Sequence, residues 1–346
     1  MYGGTERVVS WLTEELVKLG HEVTLFASGD SETTAELVAS CQMALRLDKT
    51  CKDRFAKQVL QIAEVTKRGR QFDVIHSHLD YFLFPYLRLT NVRSVHTMHG
   101  RLDIPDLKPV YEEFTDMPLV SISDRQRLPI PNANWVGTIY HGLPEDMYSF
   151  TAKPSDYMLF LGRITPEKRP DRAIKIAESA GVRLVIAAKV DPVDVEYYET
   201  EIKPMIEASK YCEYIGEVSD NQKNELIGNA RCLLFPIGWP EPFGLVMIES
   251  LACGTPVVAY KCGSVPEVID HGLTGFHVHN MEEAVEAVGK IDTLSRHTCR
   301  QIFNERFTSR RMAEDYVRLY QLVLEPNSEA RQLVPFSNKV RVPALS

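Results

Sequence analysis

Apolar residues recur along this chain with the period of helices in some stretches and as short buried runs in others. Over residues 5–19, Val8, Leu12, Leu16 and Leu19 share one helical face, and Gly20 ends it. A strand is predicted at 22–27, then a polar turn at 28–31 and a helical stretch towards Leu47. Phe55, Val59, Ile62 and Ala63 mark a second helix before Gly69. Short apolar runs at 72–76, 92–97, 119–122 and 135–140 read as strands between helical pieces, an alternation that means parallel strands with crossover helices. The turn His141-Gly142-Leu143-Pro144 and the polar run 151–156 form the clearest boundary. Beyond it the grammar restarts, with strands at 157–161, 183–188, 212–215, 232–236 and 256–260. The pattern predicts an α/β protein of two doubly wound, Rossmann-like domains facing across a cleft, residues 1–150 and 151–308. A helix over 309–325 and a loosely held tail over 326–346 complete it.

The most informative stretch runs from Pro240 to Val268. Pro242 has the fixed φ suited to a first helical residue, and Val246, Met247, Glu249, Ser250, Leu251 and Ala252 continue the helix until Gly254 and Pro256. Where a loop containing Phe243, Gly244 and Leu245 enters that helix, unpaired backbone N–H groups point outward and Gly244 permits close approach. This is an anion site. Glu241 and Glu249 are eight positions apart, on the order of 12 Å if the segment is fully helical. Paired glycosidase carboxylates lie about 5–9.5 Å apart. The two are therefore read as separate contacts to one long ligand; the plainer reading is a helix start with two surface glutamates.

A second stretch, Leu161-Gly162-Arg163-Ile164-Thr165-Pro166-Glu167-Lys168, leaves a strand through a turn. Two cations on one turn suit a diphosphate, Arg163 as a planar fork and Lys168 as a point charge. The plainer alternative is an exposed basic loop paired to Glu167.

Glu241 and Glu249 with Phe243-Gly244 between them, and Gly263-Ser264-Val265-Pro266-Glu267 after them, resemble the E-x7-E signature and glycine loop of glycosyltransferase family four. The run from Gly162 to Lys168 resembles its G-R-x4-K phosphate clamp. The resemblance covers residues 2–324 and implies the GT-B fold and a retaining, metal-independent transfer from a nucleotide-diphosphate sugar. It assigns Arg163 and Lys168 to the diphosphate, Glu241 to the donor sugar and Glu249 to the ribose. Tyr214-Ile215-Gly216-Glu217-Val218 ends a strand where the family's backbone meets the base. His99, before Gly100 at a strand end, resembles the family's active-site histidine and is expected to contact the reacting sugar. Gly3-Gly4-Thr5-Glu6 opens the first helix, where family members approach the diphosphate and acceptor. The final helix is expected to return to the first domain. Family members carry a buried strand ahead of these glycines, in the middle of the first sheet; a sequence beginning Met1-Tyr2 is expected to lack it.

Composition narrows the alternatives. The 346 residues carry a net charge of -8, which gives no electrostatic footprint for nucleic acid. Peripheral membrane contact would need a basic patch, for which Lys67, Arg68 and Arg70 are the nearest candidate and a solvated helix end the alternative. No apolar run spans a bilayer. Seven scattered cysteines without a C-x-x-C pair suit reduced thiols and a cytoplasmic location. The sequence has no Asp-x-Asp, no G-x-G-x-x-G after a first strand and no P-loop, and His76, His78, His96 and His99 lack zinc-ligand spacing. No metal or cofactor is expected. The expected function is a hexosyltransferase acting on a hydroxyl of an unspecified saccharide, lipid-linked or small-molecule acceptor. A nucleotide-sugar hydrolase or epimerase, and a non-catalytic nucleotide-sugar-binding protein, are the alternatives.

Overall fold

The computed structural model describes residues 3–325, so the expected tail from Pro326 lies outside the described residues. The chain divides into two compact units. One contains residues 3–122, 127–140 and 309–325; the other contains Ser123–Gln126 and His141–Thr308.

In the first unit, β1 (Thr24–Ser28) and β2 (Glu36–Cys41) form a two-stranded parallel sheet. A second parallel sheet runs β3 (Ile75–Ser77), β4 (Ser94–Thr97), β5 (Leu119–Ser121) and β6 (Trp135–Thr138) in sequence order. β2 corrects the helix expected towards Leu47. Pairing with β1, Thr24 opposite Glu36 through Ala27 opposite Ala39, satisfies the backbone of an apolar run too short and too exposed to show a clear period. Helix Gly4–Lys18 turns Val8, Leu12 and Leu16 inward, and helix Ser309–Leu324 packs on it and on β4, burying Met312, Tyr316 and Leu319.

The second unit holds one six-stranded, all-parallel sheet. Its strands are β7 (Tyr157–Arg163), β8 (Arg183–Lys189), β9 (Cys212–Gly216), β10 (Cys232–Phe235), β11 (Val257–Tyr260) and β12 (Gly275–Val278), and their spatial order is β12-β11-β10-β7-β8-β9. β12 escaped the sequence reading; four residues beside β11 with a half-exposed middle give little signal. The core is made by Met158, Phe160, Ile186, Leu234 and Val258 from the strands and Ile174, Ala177, Ala284 and Val288 from flanking helices. Strands covered on both faces read as continuous apolar runs, which is why 157–161 and 232–236 stood out. Chain order proceeds from β7 towards β9 on one side and from β10 towards β12 on the other. Between β7 and β10 the winding reverses, and in open parallel sheets the crevice at that reversal, at the carboxyl ends of the strands, receives ligands.

The helix expected to start at Pro242 is Leu245–Ala252. Gly244 lies at φ 78°, a left-handed conformation that breaks the helical phase, and the Pro242 carbonyl accepts a 2.6 Å hydrogen bond from Ser123 Oγ. Glu241 therefore stands outside the helix and Glu249 inside it.

Candidate functional site

Two loops leave the reversal point of the second sheet. The first follows β7, whose last residue is Arg163, and the second follows β10. Gly238 N donates to the Glu167 carbonyl at 2.8 Å, which clips them together. In the first loop, Lys168 N donates to the Thr165 carbonyl (3.2 Å) and Oγ1 (3.3 Å). Arg169 follows at φ 55°, rare for a non-glycine residue, with its guanidinium forked onto Asp171 at 2.8 and 2.7 Å. A tight turn held this firmly aims Lys168 at one place.

That place is Glu241. The Lys168 ammonium is ion-paired with the Glu241 carboxylate, their side chains only 17% and 12% exposed. The ammonium also lies 5.4 Å from the ring centroids of both Phe235 and Trp239. The same Phe235 ring abuts Gly244, where an added Cβ would come within 3.2 Å of it. Phe235 is thus the common neighbour of Lys168 and the helix start. Gly244 and Leu245 are half-buried, and Met247 N turns back to the Gly244 carbonyl at 3.0 Å, which leaves the amides ahead of it without an acceptor inside the helix.

The Glu241 loop is held from its far side. Ser264 N donates to the Glu241 carbonyl at 3.0 Å and Ser264 Oγ to the Phe243 carbonyl at 2.7 Å. Phe243, buried against His141, is a support and presents its backbone to this loop. Glu267 accepts from the backbone of Asp124 and Arg125 at 2.7 and 2.8 Å, tying Ser123–Gln126 to the same structure.

Arg163 is exposed and turned to a different carboxylate. It stands in register with Lys189 at the end of β8, and the two cations share Asp191, at 3.5 and 2.7 Å. The Lys189 hydrogen bond and both positive charges hold the Asp191 carboxyl below its ordinary range, against its burial. The alternative pairing to Glu167 is found for neither cation among the described ion pairs: Lys168 takes Glu241 and Arg163 takes Asp191.

Glu249 is 2% exposed, which excludes a surface glutamate. Its carboxylate is paired with Lys223 from helix Asp220–Asn229, a residue that no motif or local pattern singles out. That helix starts, through a reciprocal Ser219–Gln222 cap, just after Glu217 and Val218, with Glu217 exposed and Val218 half-buried. Gly162, near the end of β7, and Gly216, at φ 77°, both have open space where a side chain would stand.

In the first unit, Gly3 caps helix Gly4–Lys18, with the Glu6 carboxylate folded against it. His99 follows β4, and its Nε2 is 2.9 Å from His78 Nδ1. Burial lowers its pKa to about 4, so the ring is neutral near pH 7. Among the described residues, no group of three or more His, Cys, Asp or Glu side chains is arranged to hold a metal, and no helix is long and apolar enough to cross a membrane.

Comparison with known proteins places both units. Residues 2–131 match the family described as Glycosyltransferase Family 4, and residues 148–308 the one described as Glycosyl transferases group 1. An uncharacterised glycosyltransferase of Methanocaldococcus jannaschii is 24% identical, with 93% of this chain and 95% of that protein covered. A D-inositol 3-phosphate glycosyltransferase of Mycolicibacterium smegmatis is also 24% identical, over 84% of this chain and 78% of its own length. Among solved structures, the sucrose-phosphate synthase of Thermosynechococcus elongatus superposes with a TM-score of 0.77 at 17% identity, covering 93% of this chain and 94% of that one. The HepE protein of Anabaena in complex with UDP-glucose gives a TM-score of 0.70 at 16% identity, covering 93% and 97%. These structural likenesses establish the fold, and the two matched families, which between them span most of the sequence, make the chain a family-four-like glycosyltransferase of the GT-B fold.

Proposed function

We propose that this transferase takes a hexose from a nucleotide-diphosphate sugar and passes it to an acceptor hydroxyl with retention of configuration, using fixed positive groups in place of a metal. The observation that carries the reading is the Lys168–Glu241 pair, largely shielded from water beside the open helix start at Gly244. An ammonium and outward amides at one point suit a diphosphate, and a carboxylate next to them suits sugar hydroxyls. The Anabaena neighbour's complex with UDP-glucose supports a donor of this class.

In this mechanism the diphosphate takes Lys168, Arg163 and the amides at Gly244 and Leu245, and the hexose hydroxyls take Glu241. As the bond from the anomeric carbon to the phosphate oxygen breaks, the nucleoside diphosphate leaves with the bonding pair, and the fixed cations stabilise that charge. The acceptor oxygen bonds to the anomeric carbon from the same face, and its proton passes to the departing phosphate oxygen. Glu249 meets the ribose with one oxygen while Lys223 steadies the carboxylate, the backbone at Glu217 and Val218 meets the base, and neutral His99 is a polar contact to the sugar. The glycine amides at Gly3 and Gly4 serve the diphosphate or acceptor. The site works without a cofactor, in the cytoplasm.

A thermal-shift panel of uridine, guanosine and adenosine diphosphates, with and without sugar, tests the donor class. At about 100 times its dissociation constant, a ligand of the native state adds about 2.7 kcal/mol, which raises the melting temperature by several degrees. One base is expected to give that shift. A flat response to all of them, in protein that melts cooperatively, would sink the reading.

A further inference from the structure

His78, which the comparisons and the motifs leave without a role, sits where it can control His99. β3 ends at Ser77, and side chains two apart on an extended chain point to the same side, so His76 and His78 project together. Their rings lie 4.1 Å apart, centroid to centroid, and the His78 and His99 rings 5.1 Å apart. On its other side the His76 ring lies 4.7 Å from that of Tyr316 and 5.6 Å from that of Tyr320, both on helix Ser309–Leu324. His76 cannot turn. Its Nδ1 is bonded to Tyr320 Oη and its Nε2 to Thr97 Oγ1, each at 2.7 Å, and Thr97 Oγ1 is bonded in turn to Tyr316 Oη at 2.8 Å. This anchored ring is the floor on which His78 rests.

The 2.9 Å contact between His78 Nδ1 and His99 Nε2 is one hydrogen bond with one proton in it. Burial lowers the pKa of His76 to about 3 and that of His99 to about 4, so neither adds a proton near neutrality. In a neutral imidazole one nitrogen donates and the other accepts, so a bond at one nitrogen decides what the other presents.

We propose that His78 is a positioning residue for the transfer: through its Nδ1 it fixes the tautomer and ring plane in which His99 meets the hexose, with the His76–Thr97–Tyr316–Tyr320 cluster as its anchor. This rests on the sugar-contact role given to His99 above. Groups that lock a reacting side chain from behind it act on turnover more than on ground-state binding, because a slightly misaligned contact is lost mainly in the transition state.

The bond uses Nδ1, and that allows a test by atom replacement. An asparagine amide nitrogen falls near the Nδ1 position, a glutamine amide nitrogen near that of Nε2, and leucine offers neither. In His78→Asn, kcat is expected within about 3-fold of wild type; in His78→Gln and His78→Leu it is expected to fall about 10- to 100-fold with the donor KM little changed. Nitrogen-15 imidazole spectra should show one His99 tautomer in wild type and His78→Asn, and a mixture in His78→Gln. Equal kcat in the asparagine and glutamine variants, or losses that only follow melting temperature, would overturn the proposal, and so would an unchanged His99 tautomer in His78→Gln. His99→Ala is the reference. If it alone keeps full turnover, the sugar-contact reading is wrong as well; if it is impaired while His78→Leu is not, only the positioning role is lost.

Discussion

Replacing Lys168 with alanine should lower transfer by about 10²- to 10³-fold while leaving the protein folded. Removing one preorganised group from the developing charge typically costs about 3–4 kcal/mol of transition-state stabilisation. Here the ammonium is shielded from water over Phe235 and Trp239, so bulk solvent cannot stand in for it. The substitution also strands the Glu241 carboxylate in a site only 12% exposed, and a stability loss of about 1–3 kcal/mol should accompany it. The two effects separate in the double variant Lys168→Met/Glu241→Gln, where neither partner is left charged. Urea melts should recover most of the lost stability, and initial rates should recover nothing. A folded Lys168→Ala protein that transfers sugar at the wild-type rate would remove the clamp from the mechanism.

Gly263→Ala should be the more damaging change for the fold. Gly263 lies at φ 54°, and an added Cβ would stand 2.3 Å from the Glu241 carbonyl oxygen, 2.4 Å from its nitrogen and 2.7 Å from the Pro240 carbonyl carbon. These are backbone atoms of the loop that carries the Glu241 carboxylate, held by Ser264 on one side and Ser123 on the other. Strain plus overpacking should cost about 3 kcal/mol or more, and the surviving folded molecules should carry a displaced Glu241. Gly216→Ala is the control. It also puts a side chain at positive φ, 77°, but into open space, and should cost only about 1 kcal/mol. If calorimetry found the two variants equally stable, the packing of Gly263 against the Glu241 loop would not be what holds that loop.

What the sequence reveals follows from what is local. The strands of the second unit announce themselves because both faces are covered, and the loop residues Arg163, Lys168, Glu241 and Gly244 sit at strand ends that any parallel reading places on one edge. β2 and β12 are short and partly exposed, and their stability comes from neighbours that no window of ten residues contains. The start of helix Leu245–Ala252 turned on Gly244 adopting positive φ, which composition permits but does not announce. Least legible are the charge partners. Lys168 and Glu241 are 73 positions apart, and Lys223 and Glu249 are 26, so nothing in a local pattern joins them. The sharing of Asp191 by Arg163 and Lys189 depends likewise on the register of β7 against β8. His78 lay in plain view two residues from His76, but its use depends on what β4 brings beside it.

In the proposed mechanism, protein groups alone neutralise the departing diphosphate. Sugar transfer should therefore be measured from the donor identified in the thermal-shift panel, with protein stripped of divalent ions and assayed in excess chelator. An unchanged rate is the predicted result; a rate that collapses and returns on adding magnesium or manganese would contradict it.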